Sequence, residues 1–115
     1  MYARNAYFRV RSLDKSAEFA FSLDNEILPI LRRQSGFKGE LTLGNPGSLE
    51  RISISLWDSK SDAEAYNANV YPQVLKVLSR VIDGEPKIRT YENLALNLNG
   101  GNTTEGINLN SLLVP

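Results

Sequence analysis

Apolar and polar positions alternate over residues 2–11, YARNAYFRVR. Ala6, Phe8 and Val10 share one face, and Asn5, Tyr7, Arg9 and Arg11 share the other. SLDKS follows and offers Asp14 or Ser16 as an N-cap. From there to Gln34 the period is helical, with Ala20, Leu23, Ile27, Ile30 and Leu31 as the apolar stripe. Pro29 removes one backbone donor and crowds the carbonyl of Asn25, so a kink or break is expected there. Arg32 and Arg33 stand at the negative end of this helix, and Gly36 can supply a left-handed cap. Residues 37–44 alternate again, Phe37, Leu41 and Leu43 against Lys38, Glu40 and Thr42. NPGS is a turn signal, and a third alternation runs from Glu50 to Trp57, which predicts a hairpin. Ser59 and Asp62 form an acidic variant of the capping box. Ala63, Tyr66, Val70, Val74, Val77, Leu78 and Val81 then recur at helical spacing. Pro72 divides this region into a short helix and a longer one starting near Tyr71. DGEP reads as a firm stop, and residues 87–98 as a fourth strand. The tail from Asn99 opens as a Gly/Asn linker. It ends in Ile107, Leu109, Leu112, Leu113 and Val114, too apolar for a solvated terminus, so it is expected to dock on its own or a partner subunit.

The order β-α-β-β-α-β predicts an α+β, ferredoxin-like domain over residues 1–98, with residues 99–115 as the tail. The sheet is antiparallel and four-stranded, with the helices on one face. ISISLW then raises a question, because serine, serine and tryptophan alternate with isoleucine and leucine. Assigning Ile52, Ile54 and Leu56 to the helices leaves Asn5, Tyr7, Arg9, Lys38, Glu40, Thr42, Arg51, Ser53, Ser55, Trp57, Arg89, Tyr91 and Asn93 on the other face. A monomer showing a Trp and two Tyr there would be sticky. The expectation is a homodimer, two sheets pressed together as a dimeric α/β barrel around a partly polar lumen.

Composition narrows the chemistry. Apolar residues make up 42% of 115, enough for one packed domain. Lys+Arg and Asp+Glu both number 13, so no net field draws nucleic acid or an anionic membrane. No stretch reaches the ~18–20 apolar residues of a membrane span. Cysteine is absent, which excludes disulfides and thiolate chemistry and suits a cytoplasmic protein. MYARNAYFRV lacks the apolar core of a secretory signal. Histidine is absent too, so there is no His base, catalytic triad or His-ligated metal.

Three stretches, ILPILRRQSGFKGELTL, RISISLWDSKSDAEAY and YPQVLKVLSRVIDGEPKIRTYE, resemble the antibiotic biosynthesis monooxygenase-like family of dimeric α/β barrels. The marks are Gly36-Phe37 after the first helix and Trp57 ending the third strand before a capped helix. Members of that family include cofactor-independent oxygenases acting on phenolic polyketides, haem-degrading oxygenases, and many proteins with no known activity, and the resemblance implies one of these. In the haem branch Asn5 matches a strand-one Asn. Tyr66 falls where that branch has a Trp and Lys76 where it has the axial His, so haem is not expected. The quinone-forming branch uses Asn, Trp and Tyr around a phenol, for which Asn5, Tyr7, Trp57 and Tyr66 are of the right types.

Each candidate also has a plain reading. Trp57 is a stacking wall for an aromatic ligand, or a packing residue whose N–H finds an acceptor. Tyr7 with Arg9 and Arg11 bind an acidic or phenolate substrate, or Arg9 pairs with Glu40 or Glu92 across strands. Ser53 and Ser55 orient a ligand but have no base to make them nucleophiles. Tyr66 and Tyr91 contact substrate, or Tyr66 packs in the helical stripe. Two functions remain: a metal-free and cofactor-free monooxygenase taking a small aromatic ligand, and a non-catalytic dimeric binding or assembly module.

Overall fold

Alternating segments become strands, and proline and glycine set where they turn. The computed structural model describes residues 1–99 together with Gly101 and Asn102. The expected docking of Ile107, Leu109, Leu112, Leu113 and Val114 lies outside the described residues. Strand β1 spans Tyr2–Val10, and helix α1 Asp14–Ser22. A π-helical turn, Leu23–Ile27, leads into α2, Leu28–Arg32. Strands β2, Phe37–Leu43, and β3, Glu50–Trp57, follow. Helices α3, Lys60–Asn69, and α4, Tyr71–Leu78, precede β4, Ile82–Tyr91. A small hairpin joins β5, Asn97–Leu98, to β6, Gly101–Asn102. The main sheet has the order β2-β3-β1-β4 with every pair antiparallel, the ferredoxin-like arrangement.

Local causes are visible at each joint. Pro29 has no N–H to give to Asn25, and the turn before it widens, so that the Leu28 N–H bonds the carbonyl of Leu23 five residues back. Gly47 at φ +78° and the Ser48 N–H to Asn45 carbonyl bond at 3.1 Å make NPGS a tight turn. Ser59 caps α3, its Oγ accepting from the Asp62 N–H at 3.2 Å.

The core lies between the sheet and the helices. Phe8 meets Phe19 edge-on at 5.3 Å, and Trp57, Val10, Val81 and Ile82 are fully enclosed. Burying one such large side chain contributes about 1.5–3 kcal/mol.

Several expectations are corrected. Directly paired residues share a face, and β3 pairs Ser53 with Ala6, Ser55 with Arg4 and Trp57 with Tyr2. Ser53, Ser55 and Trp57 therefore face the helices, with Glu40 and Thr42 beside them on β2. Ile52, Ile54 and Leu56 lie on the open face with Asn5, Tyr7, Arg9 and Tyr91. Alternation groups residues into two sets but does not say which set the helices cover; the register with the Ala6–Phe8–Val10 face decides it. Arg9 approaches Glu50 at 4.0 Å rather than Glu40 or Glu92. Neither Asp14 nor Ser16 caps α1, since Leu13 holds that place with no side-chain bond. The break near Tyr71 is where Pro72 sets it, but α3 has 10 residues and α4 has 8, so the first helix is the longer. DGEP does not precede the strand. It sits inside β4 as an irregularity, with Gly84 at φ +74°, and the strand ends at Tyr91, not 98.

Candidate functional site

The helix-facing side of the sheet carries a band of polar residues across three strands. Glu40 pairs with Ser55 and Ser55 with Arg4, one residue per strand in one row. Thr42, Ser53 and Ala6 form the row beside it. At a strand spacing of ~4.8 Å, Arg4 and Glu40 stand about 10 Å apart. Above this floor, α1, the π turn, α2 and α4 contribute an apolar ceiling that includes Phe19, Leu23, Ile27 and Val74. Tyr66 from α3 and Tyr71 from α4 close one side. Floor and ceiling enclose a cavity of about 40 Å³.

Arg4 dominates the electrostatics of this cavity. It is 5% exposed, in the middle of an otherwise apolar strand face. Its guanidinium carbon lies 4.1 Å from the centre of the Tyr71 ring and 5.3 Å from that of Tyr66. One terminal nitrogen donates to Asn67 Oδ1 at 2.9 Å, while Nε is buried without a partner among the described residues. Among the described residues no carboxylate lies within ion-pair distance of Arg4. A second, open groove of about 230 Å³ runs between α3 and β4 and is also lined by Arg4, with Tyr2, Asn67 and Thr90. Arg4 thus borders both the enclosed space and the groove that leads to the surface.

The remaining polar groups are fixed. Ser53 donates to Glu40 Oε1 at 2.7 Å, and Thr42 donates to the same oxygen. Burial raises the Glu40 pKa against the opposing pull of those two bonds, which favours the neutral acid. Burial also pushes the Tyr66 hydroxyl up to about 12, so it stays protonated and available as a donor. Trp57 is fully buried, donates its indole N–H to Ser55 Oγ at 2.9 Å and lies 5.0 Å from the Tyr66 ring. It is a support behind Tyr66, not a cavity wall.

Of the residues the sequence singled out, Ser53, Ser55 and Tyr66 line the cavity, and Trp57 braces it. Asn5, Tyr7, Arg9 and Tyr91 are on the opposite side of the sheet. There Tyr7 donates to Glu50 at 2.6 Å, and that bond raises its pKa. Sequence reasoning missed Arg4, Asn67 and Tyr71. The signal for Arg4 was present: Tyr2, Arg4, Ala6, Phe8 and Val10 form one period-two face with a single charge among apolar and aromatic residues. Among the described residues, no cluster of three or more carboxylates is placed to hold a metal ion, and no helix is long and apolar enough to cross a membrane.

Fold and site together define an α+β ferredoxin-like domain with an enclosed, polar-floored cavity between its sheet and helices. Several of its solved structural neighbours are antibiotic biosynthesis monooxygenase-like proteins. One is a monooxygenase from the gene ActVA-Orf6 of Streptomyces coelicolor, in complex with Nanaomycin D, at TM-score 0.71 and 14% identity over 86% of this chain and 92% of that one. Another is SnoaB, a cofactor-independent oxygenase from Streptomyces nogalater, at TM-score 0.60 and 14% identity over 81% and 92%. A candidate antibiotic biosynthesis monooxygenase from Deinococcus radiodurans reaches TM-score 0.68 and 19% identity over 87% and 100%. No protein-family model matches the sequence, and no curated protein matches it significantly. At such identities the likeness is one of fold.

Proposed function

We propose that this chain is a monooxygenase without metal or organic cofactor, acting on a phenolic or polyketide-like small molecule in the cavity between its own sheet and helices. The observation that carries the reading is Arg4, a buried guanidinium with a free Nε and no carboxylate partner among the described residues. The fold shared with a cofactor-independent oxygenase adds support.

The chemistry would run on the substrate's own electrons. Loss of the phenol proton gives an electron-rich anion that Arg4 favours. The anion gives electrons to dioxygen, and a C–O bond forms at the ring. One oxygen atom stays as a new carbonyl, and the other leaves as water. A phenol and O₂ thus become a quinone and H₂O, with the ring supplying all four electrons. Tyr66 would donate to the developing oxyanion, Ser53 and Ser55 would leave room on the floor, and Trp57 would hold Tyr66 in place. Asn5, Tyr7, Arg9 and Tyr91 would serve a homodimer contact on the open face, beside Ile52 and Ile54. The protein would act in the cytoplasm.

The test is oxygen uptake by metal-free protein with a panel of naphthols, anthrones and hydroquinones. Uptake above buffer is expected, falling ~10²–10³-fold in Arg4→Met, as when one preorganised oxyanion donor is lost. Rates equal to buffer across the panel would overturn the reading. One observation favours the alternative, a non-catalytic dimeric module. The cavity of about 40 Å³ is far below the ~300–1,000 Å³ of ordinary ligand pockets. The oxygenase reading therefore requires the ceiling to move when substrate arrives.

A further inference from the structure

We propose that the Arg4 site selects aromatic substrates carrying a carboxylate, which the guanidinium holds where the groove meets the cavity. This deepens the reading above and rests on the same cavity.

The argument starts from the cost of the arrangement. A guanidinium taken out of water needs its donors satisfied, and a free donor in the interior is unfavourable. Arg4 is 5% exposed, and its Nε has no partner among the described residues. Tyr71 and Tyr66 offer ring faces to the cation but no acceptor in the guanidinium plane. Asn67 takes one terminal N–H through its amide oxygen. What is missing is an in-plane acceptor.

The terminal nitrogen on the Nε side already donates to Asn67, so the open position is the in-plane Nε–H. A charged carboxylate oxygen there makes a bond that is charge-assisted on both sides, stronger than one to a neutral phenol or ester oxygen. The surroundings suit an arene attached to that carboxylate. On the cavity side the walls are Phe19, Leu23 and Ile27. On the groove side are Ile88, Ala63 and Thr90. Glu64 also lines the groove, yet no ion pair joins it to Arg4, so it leaves the guanidinium free. At the far end of the floor, Glu40 is held by Ser53 and Thr42. Burial there raises its pKa, against the opposing pull of those two bonds.

The experiment measures binding apart from turnover, by calorimetry on the full chain without oxygen at neutral pH. The probes are 1-hydroxy-2-naphthoate, its methyl ester and 1-naphthol, which share the ring system but differ in charge. The free acid is expected to bind ~10–100-fold more tightly than the ester or the naphthol, as for hydrogen bonds to a charged group. In Arg4→Met the three should bind alike, while the melting temperature is kept or raised. Equal binding of the three probes to the native chain, no binding at all, or a preference that survives Arg4→Met would each overturn the proposal. The comparison of acid with ester needs no variant, so it stands even if Arg4→Met fails to fold. Arg4-dependent binding of the acid with no oxygen uptake would uphold the carboxylate site and remove the oxygenase reading. Uptake with naphthols and no preference for the acid would do the reverse.

Discussion

Replacing Gly36 by alanine tests how the sheet is joined to the helix that carries Tyr66. Gly36 adopts φ +79°, where a side chain costs about 1–2 kcal/mol. The second cost is specific to this site. A Cβ on Gly36 would run into the Asp62 side chain, with the Asp62 Cβ itself 2.7 Å away. Asp62 cannot step aside freely, because its carboxylate accepts from Ser59 Oγ at 2.9 Å and its N–H donates to that same oxygen. Moving it disturbs the cap of α3, worth about 1 kcal/mol. Gly36→Ala should therefore cost about 2–3 kcal/mol in all. For a domain of this size that lowers the melting temperature by about 10–15 °C. Gly47 supplies the control. It has nearly the same φ, +78°, but nothing within 4 Å of an added Cβ. Gly47→Ala should lose only the backbone share, about 5–10 °C. Adding Asp62→Ala to Gly36→Ala should recover part of the loss, giving a favourable coupling in a double-mutant cycle. The assay is thermal unfolding followed by circular dichroism. Equal losses for Gly36→Ala and Gly47→Ala, or strict additivity with Asp62→Ala, would refute the reasoning.

Glu40→Gln should change the pH dependence of stability. Because burial raises the Glu40 pKa in the folded chain, the fold binds that proton more tightly than the unfolded chain does. Its contribution is therefore fully present below the ordinary carboxylate pKa and is lost as pH rises through the raised value. The melting temperature of Glu40→Gln minus that of the native chain should grow more positive from about pH 4 to pH 7; a flat difference would count against a buried, proton-holding Glu40. On the open face, Ile54 lies in a row between Leu41 and Asn5. Ile54→Lys should convert a dimer to a folded monomer in sedimentation velocity, and a native chain already monomeric at micromolar concentration would remove the dimer proposal.

The sequence disclosed the fold because its signals are local. Period-two segments, a helix-breaking proline at 29, the NPGS turn and the Ser59 cap each act within a few residues. Together they leave one sensible order of elements. The face of β3 was not legible in the same way. ISISLW states that Ser53, Ser55 and Trp57 go together, and the usual preference of helices for apolar strand faces points them outward. Two long-range facts reverse this. Pairing with β1 places Ser53 opposite Ala6, and the indole of Trp57 is satisfied by Ser55 inside the core. The idea that these small hydroxyls line an enclosed space therefore holds, but the space is within one chain. The same reversal moves Asn5, Tyr7 and Arg9 out of the site and leaves Ile52 and Ile54 on the open face, where apolar residues favour a partner sheet.

Arg4 is the position where fold economy and site chemistry conflict. Tyr2, Ala6, Phe8 and Val10 occupy the same strand face, and all are buried in the apolar core. An unbranched apolar side chain such as methionine would fill much the same volume without a charge to desolvate, and replacing buried ions by such residues is often neutral or stabilising. The two tyrosine rings offset part of the cost, at about 2 kcal/mol for a desolvated cation over an aromatic face. They leave Nε unpaired among the described residues. Consistency among propensity, pattern and packing fails at this one residue, which is where a functional site is expected to show itself. Asn67 supplies an acceptor to one terminal nitrogen, but among the described residues none is supplied to Nε. Ser55 is opposite on β3 and has a hydroxyl, yet that hydroxyl accepts from Trp57 and points to the Arg4 carbonyl at 3.4 Å instead. The polar groups of the floor are thus committed to one another, while the Arg4 Nε is left open among the described residues, on a side chain that lines both the groove and the cavity.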